Sequence, residues 1–175
     1  MKKVEWFWNM MYYQIWLFNI KSQKLFDYIN PLYYINKIPK VKKFHEKHGI
    51  GNVSKFINDG FDDPHYGVNI TRATSFMGGL LILIECVIMN IVQKITGIPL
   101  IEFWLKDIFT LLAGFLVLFP LTIMINHCLL FNNEKYIEYF KLFEVLSKEE
   151  KTKYARVCII FITIVHILFI GSLWC

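Results

Sequence analysis

The chain has 175 residues, of which 55% are hydrophobic and 17% are aromatic, and its mean hydropathy is +0.41. This apolar content is too high for an ordinary soluble domain, and the length fits one small integral membrane protein. The net charge is +5, and the four cysteines form no Cys-x-x-Cys pair, so the sequence predicts neither a disulfide framework nor a zinc site.

The N-terminal stretch is rich in tryptophan and tyrosine. Val4–Ile20 is about 17 residues long, short for a crossing, and it contains Glu5, Asn9 and Gln14. Trp and Tyr favour the headgroup level of a bilayer. We therefore predict an interfacial amphipathic helix over residues 1–20 on the cytoplasmic leaflet. The alternative is a fourth span across the same residues.

Residues 21–74 are divided into short pieces by proline and glycine, which predicts a small cytoplasmic cap. The cap carries a cluster of lysines, which beside a membrane predicts attraction to anionic lipid headgroups. Nucleic-acid binding is the alternative, but it would favour arginine and a recognisable fold, and neither is present. The lysines of this basic patch are Lys37, Lys40, Lys42, Lys43 and Lys47.

Three apolar segments are long enough to cross a bilayer: residues 75–96, 107–131 and 156–174. Between the last two, residues 132–155 have helical spacing, with aromatic side chains on one side, and predict a cytoplasmic helix. Ser147 to Glu150 has the form of a capping box, so the third long helix is expected to begin near Lys148. The predicted fold class is therefore all-α, with a membrane domain over residues 75–175.

Lysine and arginine predict the orientation of the chain. Residues 1–74 carry eleven of them and residues 132–156 carry six, whereas Lys106 is the single one between residues 97 and 106. Basic residues favour the cytoplasmic side. With three spans, the N-terminus is predicted to be cytoplasmic and the C-terminus to lie outside, in a bacterial inner membrane.

Two ionisable residues lie deep in the predicted spans. At a rise of 1.5 Å per residue, Glu85 and His166 each lie about 15 Å from the cytoplasmic ends of their spans, so they are expected to share one level. Gly78 would allow close helix approach, and Pro120 is expected to kink the second span. The predicted intramembrane polar seam comprises Glu85, His166, Ser75, Gly78, Gln93 and Thr163.

Two interpretations of this seam remain open. Glu85 either holds the helices in register by bonding to His166, Thr163 or a neighbouring subunit, or it lines a proton or ion path. The sequence has no nucleophile elbow, P-loop or H-E-x-x-H motif. It therefore predicts no enzymatic activity, no cofactor and no metal.

Met11 to Trp16 forms an aromatic N-terminal motif, and Phe131 to Tyr136 ends a span in a Phe-Asn-Asn-x-Lys-Tyr segment. In this layout the chain resembles small bacterial multi-span membrane proteins, mostly uncharacterised, and the resemblance implies no known activity. The chain is also similar in outline to the membrane accessory proteins of RNA-targeting CRISPR systems, some of which form pores. The Arg-to-His ribonuclease spacing of some of those proteins is absent, because Arg156 and His166 are too far apart.

The sequence thus predicts an accessory or scaffold protein of the inner membrane. It would act by self-assembly or by association with a larger membrane partner. The alternative is an oligomeric pore or an ion- or proton-conducting accessory, which could belong to a defence system.

Overall fold

Helices form all the regular secondary structure in the described part of the chain. The computed structural model describes residues 2–27, 29, 31–35, 37–50, 53–99 and 106–174. Residues 100–105 of the predicted first connection and Cys175 lie outside this set. No strand occurs among the described residues, and the predicted all-α class is confirmed.

The helices, in chain order, are α1 (Lys2–Asp27), α2 (Pro31–Ile35), α3 (Pro39–Lys47), α4 (Val53–Asp62), α5 (Val68–Thr96), α6 (Ile108–Asn126), α7 (Lys135–Glu144) and α8 (Lys148–Trp174). A π-helix, His127–Phe131, and a 3₁₀ turn, Asn132–Glu134, join α6 to α7. Asn133 and Glu134 both have positive φ, and the chain turns there before α7 begins.

Three helical stretches are long and apolar enough to cross a membrane: Val68–Thr96, Ile108–Glu144 and Lys148–Trp174. The prediction of three membrane-length helices is confirmed. α5 begins seven residues before the predicted start at Ser75, and the helix continues through Pro120 in α6. The predicted single helix over residues 132–155 is instead divided, because α7 ends at Glu144 and α8 begins at Lys148.

Side-chain caps define where two of the long helices start. Asp107 accepts a hydrogen bond from the Thr110 amide at 2.9 Å at the start of α6. Before α8, the Glu150 amide donates to the Ser147 hydroxyl at 3.2 Å, and Glu150 Oε2 accepts from the Ser147 amide at 3.0 Å. This reciprocal pair is the predicted capping box, which satisfies amides that have no partner within the helix.

The chain comprises two compact units: residues 1–14 with 75–175, and residues 15–74. In the first unit, the start of α1 packs on α7. The Tyr12 ring lies 5.6 Å from that of Tyr136 and 5.5 Å from that of Phe140. The same three side chains are almost entirely buried. The Tyr12–Tyr136 pair is edge-on and the Tyr12–Phe140 pair is tilted, and aromatic contacts of this kind add to the stabilisation from apolar burial.

An ion pair also joins the start of α1 to α7. Lys135 Nζ lies 3.2 Å from Glu5 Oε2, and the Tyr139 hydroxyl donates to Glu5 Oε1 at 3.3 Å. Glu5, one of the polar residues that interrupt the N-terminal aromatic stretch, therefore bonds to two side chains of α7.

The N-terminal helix is longer than the predicted interfacial helix of residues 1–20. α1 extends to Asp27, and its residues from Trp8 to Trp16 are all buried by the chain itself. Trp8, Tyr12, Tyr13 and Trp16 are thus covered by protein, whereas Phe18 is exposed. The location of residues 1–20 on the cytoplasmic leaflet stays a prediction.

In the second unit, a buried amide links three segments of residues 15–74. Asn69 Nδ2 donates to Gln23 Oε1 at 2.6 Å and to Asp62 Oδ1 at 2.9 Å. Asn69 is fully buried, so these bonds replace the water that its NH2 group loses on folding, whereas its Oδ1 has no hydrogen-bond partner among the described residues. They hold the start of α5 against the end of α1 and the end of α4.

The turn between α4 and α5 depends on Asp63. Its carboxylate accepts from the amides of Tyr66 at 2.9 Å and His65 at 2.6 Å, and these bonds lower the pKa of Asp63. A lowered carboxyl pKa stabilises the fold above the pKa of the unfolded chain, and this stabilisation is lost as the pH falls through the folded-state value. Acidification is therefore expected to loosen this turn.

Gly67 follows that turn and has no room for a side chain. A Cβ atom there would overlap the carbonyl oxygens of Asp63 and Phe61, which are backbone atoms and cannot rotate away. Gly67→Ala is therefore expected to lower the free energy of unfolding by about 1–3 kcal/mol or more. Thermal unfolding in mild detergent measures the change.

Gly60 provides the matched control for Gly67→Ala. It lies inside α4, and a Cβ there would meet open space. Gly60→Ala is expected to stabilise the protein by up to about 1 kcal/mol, because alanine has the higher helix propensity. Equal effects of the two substitutions would contradict the steric argument at Gly67.

Candidate functional site in the membrane-length helices

Glu85 lies near the middle of α5 and contacts α6. Both of its carboxyl oxygens lie 3.2 Å from the Thr122 hydroxyl, and the side chain is only 8% exposed. No ion pair joins Glu85 to a cation among the described residues. The Thr122 hydroxyl donates to this carboxyl group, and the contact offsets part of the cost of burying a polar group away from water.

Gly78 lies on the face of α5 that contacts α6. A Cβ atom built on Gly78 would lie 3.9 Å from Thr122 Cγ2 and 4.0 Å from Asn126 Nδ2. Gly78 and Glu85 are seven residues apart, or about two helical turns, and both approach Thr122. Gly78 therefore faces α6, and a Cβ at this position would make ordinary van der Waals contacts with that helix.

α1 contributes two polar side chains to the end of α6. The Trp8 indole donates to Asn126 Oδ1 at 3.0 Å. Asn9 Nδ2 donates to the carbonyl oxygen of Leu129 at 2.9 Å, within the π-helix. A π-helix changes the usual backbone pairing, so a side-chain donor at this point satisfies a carbonyl that the turn exposes.

α5 and α8 are joined through a different pair from the one predicted. Asn90 Nδ2 donates to the Ser172 hydroxyl at 2.7 Å, and that hydroxyl donates to the Phe169 carbonyl at 2.7 Å. Asn90 is five residues beyond Glu85, and Ser172 is six residues beyond His166. This contact therefore agrees with the estimate that Glu85 and His166 lie at nearly one level.

His166 nevertheless does not contact Glu85. It is exposed, and its Nδ1 lies 2.8 Å from the carbonyl oxygen of Ile162 in its own helix. Thr163, predicted to share its stripe, is exposed as well. Depth follows from counting residues along a helix, whereas the direction in which a side chain points depends on how the helices pack.

The remaining predicted residues occupy several places. Ser75 is exposed and Gln93 is half-buried on α5, and Pro120 is exposed within α6. The five lysines of the basic patch, all in the second unit, are exposed. Lys37 Nζ lies 5.6 Å from the centre of the Tyr34 ring, and Lys42 Nζ lies 3.8 Å from Glu46 Oε1.

Among the described residues, no group of three or more His, Cys, Asp and Glu side chains could hold a metal ion. Cys86, Cys128 and Cys158 are free thiols. Comparisons with protein-family models, curated proteins and solved structures found no match.

The sequence contained signals for some of the residues that the predicted seam omitted. Thr122 and Asn126 are one turn apart in the second span, so they share a face, and Asn90 is a polar residue within the first span. Polar side chains at these depths usually face protein. Trp8 carried no such signal, because one tryptophan in an aromatic stretch gives no indication of its partner.

Proposed function

We propose that this protein is a small scaffold or accessory protein of a membrane, which acts by association with copies of itself or with a larger membrane protein. The observation that carries the proposal is that polar side chains in the long helices bond to other helices of the same chain. Glu85, Thr122, Asn126, Asn90 and Ser172 all bond within the chain and join one helix to another. Such contacts stabilise a fixed helix arrangement.

The outward face of α8 supports association. Thr163 and His166 are exposed there, among apolar side chains such as Ile159 and Ile170. An ionisable side chain in the middle of a span almost always faces protein or a water-filled cavity, because contact with lipid is costly. A partner in the membrane would cover these two residues.

The distribution of charge supports a cytoplasmic N-terminus in a bacterial inner membrane. Basic residues are concentrated in residues 1–74 and 132–156, and the lysines of the basic patch are exposed. Exposed lysines beside a membrane attract anionic headgroups by about 1 kcal/mol each. The same distribution favours a C-terminus on the opposite side.

Conduction through an oligomer is the competing function. A leak assay on the unmodified protein and on Glu85→Gln distinguishes conduction from a scaffold function. In purified, reconstituted liposomes, we expect no ion or dye leak above that of empty liposomes at any protein-to-lipid ratio. Glu85→Gln should leave this result unchanged, because the amide oxygen can still accept from Thr122. The native mass in mild detergent should exceed that of one chain, or the protein should co-purify with a membrane partner.

A leak that grows with the amount of protein and falls in Glu85→Gln would instead establish a conducting function. Thr122→Val is the matched variant, because it removes the hydroxyl and keeps the shape of the side chain. If the contact between Glu85 and Thr122 only holds α5 against α6, Thr122→Val should lower the free energy of unfolding by about 0.5–2 kcal/mol and cause no ion or dye leak.

A further inference from the structure

One face of α8 carries a regular exposed stripe, which we name the α8 stripe. Its spacing of four and three residues is that of a seam between two packed helices. Each member is exposed, although other positions of the same helix, such as Cys158 and Val165, are buried. The members of the α8 stripe are Ile159, Thr163, His166, Ile170 and Leu173.

His166 has a defined hydrogen-bond acceptor on this stripe. Its Nδ1 lies 2.8 Å from the Ile162 carbonyl oxygen, and a carbonyl only accepts, so Nδ1 carries the hydrogen. In the neutral ring, Nε2 is then an acceptor. Among the described residues, no donor bonds to it.

Thr163 provides the matching donor. Four other helical threonines, Thr71, Thr74, Thr96 and Thr152, each donate to the carbonyl four residues before them. The Thr163 hydroxyl makes no hydrogen bond within the described part of the chain. One exposed face of α8 thus presents a donor and an acceptor three residues apart, and neither has a partner among the residues that the structure describes.

We propose that the α8 stripe is the contact surface for a second copy of this chain, with the Thr163 hydroxyl of each copy donating to His166 Nε2 of the other. This proposal rests on the proposed function and names its partner. Copies with the same topology in one membrane have parallel α8 helices, so a two-fold axis along the membrane normal produces both bonds at once. An unrelated partner would have to supply both groups independently.

The vertical geometry suits this pairing. Thr163 and His166 are separated by about 4.5 Å along the helix axis. A helical side chain leans toward the N-terminus of its helix, so the His166 ring lies over the turn that contains Thr163. The ring thereby approaches the level of Thr163 in the second copy. Ile159, Ile170 and Leu173 would pack above and below the polar pair.

This pairing can be tested by energy transfer between donor-labelled and acceptor-labelled copies in liposomes. The measurement is repeated at increasing ratios of lipid to protein, which gives the strength of dimerisation. We expect Thr163→Val to weaken dimerisation roughly eightfold, because it removes both reciprocal bonds. His166→Leu should weaken it to a similar degree, and the double variant should be no weaker than either single one. Thr163→Ser keeps the hydroxyl and should dimerise like the unmodified protein.

Two isoleucines of α8 provide the matched apolar control. Ile170 lies on the α8 stripe and Ile167 lies off it, and both are exposed. Ile170→Ala should weaken dimerisation, and Ile167→Ala should not. Energy transfer no greater than random proximity, or additive losses in the double variant, would overturn this interface. If the protein is monomeric and the liposomes do not leak, the dimer interface is wrong but the proposed function is not contradicted. If the liposomes leak, the proposed function is wrong, whether or not the protein dimerises.

Discussion

Replacing Trp8 with alanine is expected to lower the free energy of unfolding by about 3–5 kcal/mol. Trp8 is buried, and its indole donates to Asn126 Oδ1 at 3.0 Å. Truncation removes the apolar ring and leaves a cavity, and it also leaves the buried Asn126 amide without this donor. Thermal or denaturant unfolding in mild detergent measures the loss.

Trp8→Phe separates the two contributions, because it keeps most of the ring and removes only the donor. It is expected to cost about 1–3 kcal/mol, the penalty for a buried acceptor that loses its partner. In the Asn126→Leu background, the same change should cost less, since no acceptor remains to be left unpaired. The control is Trp174→Ala: this side chain is 86% exposed, so its loss should change the stability only slightly. A Trp8→Phe variant as stable as the unmodified protein would show that the hydrogen bond to Asn126 contributes little.

Tyr12→Ala should be similarly destabilising, by about 3–5 kcal/mol. Tyr12 is 0% exposed, and its ring contacts those of Phe131, Tyr136 and Phe140. These four rings join α1 to α7 and to the end of the π-helix. Loss of the central ring should therefore loosen the attachment of the N-terminal helix, as well as create a cavity.

Tyr66→Ala is the control for Tyr12→Ala, because the Tyr66 side chain is 92% exposed and its amide bond to Asp63 does not need the ring. Limited proteolysis after Glu5 gives a second measurement: Tyr12→Ala should accelerate cleavage within α1, and Tyr66→Ala should not. If α1 instead lay on the lipid surface, truncation of Tyr12 would change membrane affinity and leave the stability in detergent unchanged.

Helix positions were largely predictable from the sequence, because hydrophobic length and capping act locally. The three long apolar runs and the Ser147–Glu150 capping box act within one helix or one turn, and the structure contains each of them. The level of Glu85 relative to His166 also follows from residue counting, and the Asn90–Ser172 bond agrees with it. These features do not depend on which helices are neighbours.

Partner choice was not predictable, because it depends on the rotation of each helix about its axis and on which helix lies beside it. Glu85 bonds to Thr122 of α6, although the sequence suggested His166 at the same depth. Both candidates are polar and both are deep, so depth and polarity cannot distinguish them. A rotation of α8 about its own axis by less than half a turn would be enough to change His166 from exposed to buried.

By itself, the sequence determined that this is an all-helical chain with three membrane-length helices, an aromatic N-terminus and a lysine cluster between residues 37 and 47, because those properties follow from composition, period and length. Only the tertiary structure decided that the aromatic N-terminal helix is buried against α7, that Glu85 faces Thr122, and that Thr163 and His166 remain exposed on α8. The physical reason is that packing between helices, which sequence periodicity does not encode, fixes the direction of each side chain.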